Sequence, residues 1–229
     1  RSVQPERDRE CMMQRPPRQT SRFLARGLSI LYEDRDILVV DKPAGLLTMG
    51  TEREKARTAY FSLTEYVRKG AAKSRARIFI VHRLDRETSG VLVFAKTAEA
   101  KDCLQRRWDE TKKRYLAVVH GPCEKRAETI TAYLAENDAH GVYSTVDPQK
   151  GKWAQTTYTV LKETKDFALL DVELLTGRKH QIRVHLASFG TPIVGAFKYG
   201  AQSARGKGAI AEKLHLHDRS IDISSPDGG

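Results

Sequence analysis

The chain has 229 residues, enough for one domain with a sizeable core, and its 40% hydrophobic and 30% charged residues are typical of globular proteins. Its 40 Lys and Arg residues outnumber 29 Asp and Glu residues, and the net charge of +11 favours a polyanionic partner such as nucleic acid. No apolar run approaches the ~20 residues of a membrane span, and no apolar segment of a secretory signal follows the N-terminus.

The cysteines and the first residues of the chain indicate its compartment and its domain organisation. Cys11, Cys103 and Cys123 form no C-x-x-C pair, which argues against a disulfide framework or a clustered zinc site and favours a reducing, cytoplasmic location. Residues 1–27 are polar and Arg-rich and lack a sustained apolar period, so we predict a basic, flexible N-terminal arm followed by one catalytic domain over residues 28–229.

The apolar pattern predicts a mixed α and β domain. Strands are predicted at 29–32, 37–40, 78–81, 91–95, 115–119, 130–134, 143–146, 156–161 and 167–174, with a final strand pair within 214–223. Helical spacing predicts helices at 62–68, at 98–110 after the N-cap Thr97, and at 182–189. Most connections are too short for crossover helices, so the sheet should be mostly antiparallel.

Residues 82–90 form a polar segment between two of the apolar, β-prone runs, with Asp85 at its centre. Two interpretations of Asp85 follow from local chemistry. It could cap a tight turn ahead of Thr88, Ser89 and Gly90, which is a common use of aspartate. It could also be a carboxylate held rigidly at a strand end for chemistry.

A second polar segment, residues 175–187, is rich in basic side chains. Arg178, Lys179 and His180 lie around the start of a predicted helix, where backbone donors favour an anion. Arg183 follows on that helix, either as a surface residue or as the partner of a buried carboxylate from elsewhere in the chain. Lys42, at the end of an earlier strand, could meet a phosphate or be solvated.

Metal-binding and cofactor-binding patterns are weak in this sequence. His180 and His185 would project about 140° apart on a helix, and His215 and His217 lack an evident third ligand. The chain has no phosphate loop, no dinucleotide fingerprint and no nucleophile elbow. We therefore expect no metal and no cofactor.

Four segments resemble the conserved blocks of the RluA-type pseudouridine synthases, in the same order. Residues 82–90 read HRLDRETSG, which is similar to that family's H-R-L-D-x-x-T-S-G signature. Residues 41–45, 113–121 and 176–186 resemble its other blocks. The chain departs from the family pattern at Ala196, where an aspartate is usual.

The resemblance implies a pseudouridine synthase fold, a central and mostly antiparallel sheet with flanking helices and an active-site cleft. It implies that Asp85 is the catalytic aspartate, that Tyr115 lies against the target base and helps to remove the C5 proton, and that Arg183 holds Asp85 ionised. Arg83 would enter the RNA stack that the target nucleotide leaves. The residues expected to contact RNA are Arg83, Arg86, Lys42, Arg178, Lys179 and His180.

The sequence thus predicts a monomeric, cofactor-independent RNA pseudouridine synthase that acts on a stem-loop of ribosomal or transfer RNA. The arm over 1–27 is too short for the small RNA-binding domain that precedes many relatives. Two alternatives are a non-catalytic RNA-binding protein, which would tolerate loss of Asp85, and a metal-dependent nuclease, which would need a carboxylate cluster. Whether Asp85 attacks the sugar, attacks the base or acts as a base is left open.

Overall fold

The computed structural model describes residues 21–51, 53–71, 73–199 and 213–223, which form one ten-stranded sheet and three α-helices. The strands are β1 (Ser29–Glu33), β2 (Ile37–Lys42), β3 (Phe79–Ile80), β4 (Ser89–Ala95), β5 (Lys112–His120), β6 (Ala127–Glu136), β7 (Val142–Thr145), β8 (Lys152–Glu163), β9 (Phe167–Leu174) and β10 (Leu216–Asp222). The helices are α1 (Ala59–Arg68), α2 (Ala98–Arg106) and α3 (Gln181–Ser188).

The sheet runs in the order β1-β2-β4-β10-β5-β9-β8-β6-β7, and β3 pairs with β4. Strands β4 and β10 are parallel, and the other pairings are antiparallel. The predicted mixed architecture with a mostly antiparallel sheet is therefore confirmed. Strand β10 joins the two halves of the sheet at its centre.

Several predicted elements, such as β6, β8 and α1, are longer in the structure than predicted, and three elements differ in other ways. The final strand pair is a single strand, β10, which bonds to β4 and β5 about a hundred residues earlier instead of to a neighbouring strand. The third predicted strand is only Phe79–Ile80. The helix after Thr97 ends at Arg106 and is followed by a 3₁₀ turn over Trp108–Glu110. Local periodicity reports the apolar positions but not the long-range partners that extend or shorten a strand.

Both faces of β4 are covered, which explains its nearly continuous apolar sequence. Alternate side chains of a strand point to opposite faces. Leu92 and Phe94 join the core cluster that includes Leu63 of α1, whereas Val93 joins the cluster that includes Leu104 of α2. Ile182 and Leu186 of α3 join the first of these clusters. Helix α2 begins at the expected cap, where the Thr97 hydroxyl accepts a hydrogen bond from Ala100 N at 3.1 Å.

The packed structure extends upstream of Leu28. The Ser62 hydroxyl on α1 donates to Phe23 O at 2.8 Å and accepts from Ala25 N at 2.6 Å. Residues 1–20 of the expected arm lie outside the described part of the chain. No helix in the described ranges is long and apolar enough to cross a membrane.

Candidate active site

The segment that carries Asp85, here called the Asp85 loop (residues 82–88), is anchored by buried polar contacts. Leu84 is buried. The Thr48 side chain donates to Leu84 O at 2.8 Å and accepts from Leu84 N at 3.2 Å. Gly45 N donates to Arg86 O at 2.8 Å. The residues on both sides of Asp85 are therefore fixed by segments that follow β2.

Lys42 supports this loop from the interior, in contrast to its expected contact with RNA. Its side chain is fully buried. The ammonium donates to Pro43 O at 3.0 Å, Leu46 O at 2.8 Å and Arg86 O at 3.2 Å. Burial lowers the pKa of Lys42 to about 8, although the carboxylates of Glu87 and Asp85 oppose that shift. This geometry assigns Lys42 to the support of the Asp85 loop.

We expect Lys42→Met to lower the free energy of unfolding by about 1–3 kcal/mol, because the partly buried carbonyl oxygens of Pro43 and Leu46 would lose the ammonium as a donor. Chemical denaturation in urea measures this change. Lys162→Met is the matched control, since Lys162 is exposed on β8 and should unfold like the wild type. Equal stabilities of the two variants would contradict the supporting role.

The Asp85 carboxylate faces two basic residues from the segment that opens α3. Its Oδ2 atom lies 3.5 Å from Arg183 Nη1 and 3.6 Å from His180 Nε2. The Asp85 side chain is 35% exposed to solvent, and the Arg183 side chain is 12% exposed. The turn itself closes through the backbone, where Thr88 N donates to Asp85 O at 3.2 Å. The carboxylate is thus directed toward a cation and open to the cleft.

Two contacts hold His180 and Arg183 in place. His180 Nδ1 forms a hydrogen bond with the Tyr199 hydroxyl, and the Arg183 guanidinium stacks 5.2 Å from the centre of the Tyr199 ring. Burial lowers the pKa of His180, although Asp85 opposes that shift. The buried amide of Gln181 accepts from Arg178 N at 2.9 Å and donates to Gln155 O at 2.9 Å. The start of α3 is therefore tied to β8.

Tyr115 lies on β5, where it is 7% exposed and lines the same cleft as Asp85. The Asp218 carboxyl of β10 is fully buried next to it. Burial raises the pKa of Tyr115 well above its usual value, and the nearby Asp218 and Asp85 carboxylates raise it further. The Tyr115 hydroxyl therefore stays protonated at neutral pH. The sequence analysis did not identify Asp218.

One wall of the cleft is formed by His82, Trp108 and Lys113. The His82 and Trp108 rings stack with centroids 4.5 Å apart, and His82 Nε2 accepts from Val93 N at 3.0 Å. Burial lowers the pKa of His82 to about 3, so the imidazole is neutral. The Lys113 ammonium donates to Trp108 O at 3.3 Å and lies 5.4 Å from the centre of the indole ring. These contacts fix an apolar surface with a cation at its edge.

The remaining residues expected to contact RNA are exposed around the cleft. Arg83 is exposed, and Arg86 forms an ion pair with Glu54 at 2.6 Å. Arg178 Nε donates to Trp153 O at 3.0 Å, and Lys179 pairs with Glu136. We call Arg83, Arg86, Arg178 and Lys179 the basic rim. Exposed cations of this kind can meet phosphates without a large desolvation penalty.

The cleft that contains Asp85 has a volume of about 600 Å³. A larger cleft, of about 780 Å³, lies at the opposite end of β4, near Lys96 and Arg77. The acid in that cleft, Glu33, is already paired with Lys96 at 2.8 Å and accepts from the Tyr66 hydroxyl at 2.8 Å. We therefore assign the chemistry to the smaller cleft. In the described ranges no group of three or more His, Cys, Asp and Glu residues could hold a metal ion.

Comparisons with known proteins identify the family of this chain. The RNA pseudouridylate synthase family matches residues 36–188. The chain is 37% identical over 206 residues to an uncharacterized RNA pseudouridine synthase of Mycoplasma pneumoniae, covering 87% of this chain and 63% of that protein. It is also 37% identical over 208 residues to ribosomal large subunit pseudouridine synthase D of Nitrosomonas europaea, covering 88% and 59%.

Solved structures show the same fold. The human RNA pseudouridylate synthase domain containing 4 superposes with a TM-score of 0.69 at 27% identity, covering 84% of this chain and 82% of that one. The chain spans about three fifths of the length of the curated relatives it matches. The matched region includes Asp85, Tyr115 and Arg183. This chain belongs to the RNA pseudouridylate synthase family.

Proposed function

We propose that the protein isomerises uridine to pseudouridine in structured RNA, with Asp85 as the catalytic carboxylate. The observation that carries this proposal is the Asp85–Arg183 pair, 3.5 Å apart in a cleft within the matched family region. A charged carboxylate in a partly dry site needs a compensating cation, and Arg183 supplies one.

The isomerisation rearranges bonds within the uridine and moves protons. The N1–C1′ glycosidic bond breaks, a C5–C1′ bond forms, the C5 proton leaves and N1 gains a proton, so no redox partner is required. Asp85 acts on the sugar, on the base or as a base in a glycal route. Tyr115 lies against the base and helps to remove the C5 proton, and the side chains of His82 and Trp108 bound the cleft beside it.

Binding must also bring the target base out of its stack. A base inside a helix cannot reach the cleft, and flipping it costs a few kcal/mol. The basic rim offsets that cost through phosphate contacts, and Arg83 occupies the gap that the flipped nucleotide leaves. His180, whose ring faces Asp85 at 3.6 Å, contacts the RNA at the floor of the cleft.

We further propose that the substrate is a stem-loop of ribosomal or transfer RNA and that the protein works as a monomer in the cytoplasm. The name of the Nitrosomonas relative supports a ribosomal substrate, and a sequence whose cysteines form no C-x-x-C pair favours a reducing compartment. Pseudouridine mapping of total RNA, with and without the gene, identifies the RNA and the uridine together. If the same pseudouridine sites appear with and without the gene in both ribosomal and transfer RNA, the proposal is contradicted.

The reaction itself is tested by tritium release from RNA labelled at uridine C5, in single turnover with excess enzyme. Release should occur in excess chelator on a stem-loop that folds without metal, because we propose a reaction without a metal or cofactor. Activity that returned only with zinc would contradict the proposed mechanism and point to His180, His185, His215 or His217 as ligands.

RNA affinity should depend strongly on salt, because a chain with net charge +11 neutralises several phosphates. Each phosphate contact adds roughly 0.7 to the slope of log K against log salt for single strands and roughly 0.9 for duplexes. We expect a total slope of several units in filter binding or anisotropy titrations. Arg178→Ala and Lys179→Ala should each weaken binding and lower the slope by about one unit, without stopping reaction on bound RNA.

Lys165→Ala is the control for these two variants. Lys165 is exposed in the turn between β8 and β9, at the end of β9 remote from the cleft. It should bind RNA with the affinity and salt slope of the wild type. A nearly flat salt dependence of the wild type would contradict the electrostatic basis of binding.

A further inference from the structure

Asp218 is a buried acid that the mechanism above does not use. It is fully buried, and neither carboxyl oxygen has a hydrogen bond of ordinary geometry among the described residues, although the Tyr115 hydroxyl interacts with the carboxyl group. Burial of a polar group without hydrogen bonds is unfavourable, and most buried polar groups are paired. An acid retained in such a place is a candidate for a functional role.

The strand pairing places Asp218 beside Tyr115. The two residues are directly opposite each other in the antiparallel pair of β10 and β5, so their side chains leave the sheet on the same face. On its other side Asp218 pairs with Gly90 of β4. A Cβ atom at Gly90, where φ is +118°, would lie 2.1 Å from Asp218 O. The glycine that follows the Asp85 loop therefore allows the close approach of the Asp218 backbone.

Removal of the C5 proton creates a chemical requirement at Tyr115. Its raised pKa makes the phenolate scarce at neutral pH. A neutral phenol oxygen is a very weak base, because it would carry a positive charge if it gained a proton and kept its own. Tyr115 can therefore take the C5 proton only if its hydroxyl proton leaves at the same time. The acceptor must lie beside the hydroxyl and outside the space occupied by the base.

We propose that Asp218 is a positioning residue that takes the hydroxyl proton of Tyr115 while Tyr115 takes the C5 proton of the isomerised base. This inference rests on the proposed function. The C5–H bond breaks and its electron pair stays in the ring. A new O–H bond forms at Tyr115 Oη, and the former hydroxyl proton moves to an Asp218 oxygen. When Asp218 returns its proton to Tyr115 Oη, the proton that came from C5 leaves the hydroxyl for solvent, so the pair is restored and no further reactant is needed.

The environment of Asp218 suits a proton acceptor. Tyr115 and Lys113 face it from β5, the Ser89–His217 pair lies where β4 meets β10, and Asp85 interacts electrostatically with Tyr115. Burial raises the pKa of Asp218 to about 8, although Tyr115 and Lys113 oppose that shift. Because the acceptor must be ionised, the rate of proton removal should rise with pH up to about 8.

The same raised pKa of Asp218 makes the stability of the protein fall as pH rises, whereas the rate of proton removal rises. The folded protein binds the Asp218 proton more tightly than the unfolded chain does, because the ordinary pKa is 3.8 and the folded value is about 8. The contribution of Asp218 to stability therefore falls as pH rises between these values. As pH rises, ionisation of Asp218 should therefore increase the rate of C5 proton removal and decrease the melting temperature over the same pH range.

Asp218→Asn tests this proposal in single-turnover tritium release from pH 6 to 9. The wild-type rate should rise about tenfold per unit below pH 8. The variant should be about 10²-fold slower at pH 8, the low end for a positioned acid or base, and its rate should not follow this titration. RNA affinity should be unchanged. The melting temperature of the variant should exceed that of the wild type by a margin that grows from pH 6 to pH 8.

Two further variants separate a proton relay from a structural role. Asp222→Asn removes an exposed acid from the same strand and should match the wild type in rate, pH profile and melting temperature. In a Tyr115→Phe background, Asp218→Asn should cause no further loss of rate, because the relay is already broken. The rate of Asp218→Ala should likewise not follow the titration of the wild type. This variant replaces Asp218→Asn in the test if Asp218→Asn does not fold.

A wild-type rate and pH profile in folded Asp218→Asn would overturn the relay. A lower melting temperature with additive losses in the double variant would overturn it too, since both indicate a structural role. Failure of the proposed function is distinct from these outcomes, because the wild-type protein itself would then release no tritium.

Discussion

Replacing Asp85 with asparagine should abolish uridine isomerisation while RNA binding persists. The substitution keeps the size of the side chain and removes the charge that faces Arg183 at 3.5 Å. A reaction that depends on this carboxylate should slow by at least ~10⁴-fold, as when an essential group is removed from a catalytic unit. RNA affinity should hold or rise slightly, because an anion near the phosphates is lost. Tritium release and a binding titration measure the two quantities.

Glu87→Gln is the matched control for this variant. It removes the same charge from an exposed acid two residues away in the Asp85 loop, so a general electrostatic effect on RNA would appear in both variants. Normal tritium release by folded Asp85→Asn would exclude the synthase mechanism at this site. Intact binding without release would exclude both the turn-cap interpretation of Asp85 and the alternative of a non-catalytic RNA-binding protein.

The sequence predicted the local features of this molecule well because their causes are local. The cap at Thr97 needs only a hydroxyl three residues before an amide, and the structure has that bond at 3.1 Å. Asp85 could be singled out because two apolar strands flank a short polar segment. The resemblance of four ordered blocks added the fold and the family, which the strand order and the comparisons confirm.

The features that the sequence did not reveal depend on distant parts of the chain. Lys42 appears as a cation at a strand end, and only the folded loop shows three carbonyl groups around its ammonium. Asp218 lies in a segment that the sequence predicts as part of a final strand pair, yet β10 is a single strand at the centre of the sheet. Asp218 is buried by strands far away in sequence, and the Lys42 ammonium by the loop that follows β2 together with Arg86, and periodicity reports neither.

Arg183→Ala should slow isomerisation by about 10²–10³-fold on bound RNA. Removing one partner of a buried ion pair costs ~3–5 kcal/mol, and each ~1.4 kcal/mol is a factor of ten in rate. The lower part of that range applies, because the Asp85 side chain keeps 35% of its exposure. The guanidinium also stacks on Tyr199, so some of the loss should appear as lower stability, measured by thermal unfolding of the same sample.

Chemical rescue separates the charge of Arg183 from its packing. In Arg183→Ala, millimolar methylguanidinium can enter the space that the side chain leaves and again compensate Asp85, so the single-turnover rate should partly recover. Arg126→Ala is the control, since Arg126 is exposed and pairs loosely with Glu163 at 3.7 Å; it should keep the wild-type rate and show no response to the additive. A folded Arg183→Ala protein with the wild-type rate would show that Asp85 does not need this cation. Slow turnover that methylguanidinium restores would show that it does, because the additive returns a compensating charge without the covalent side chain.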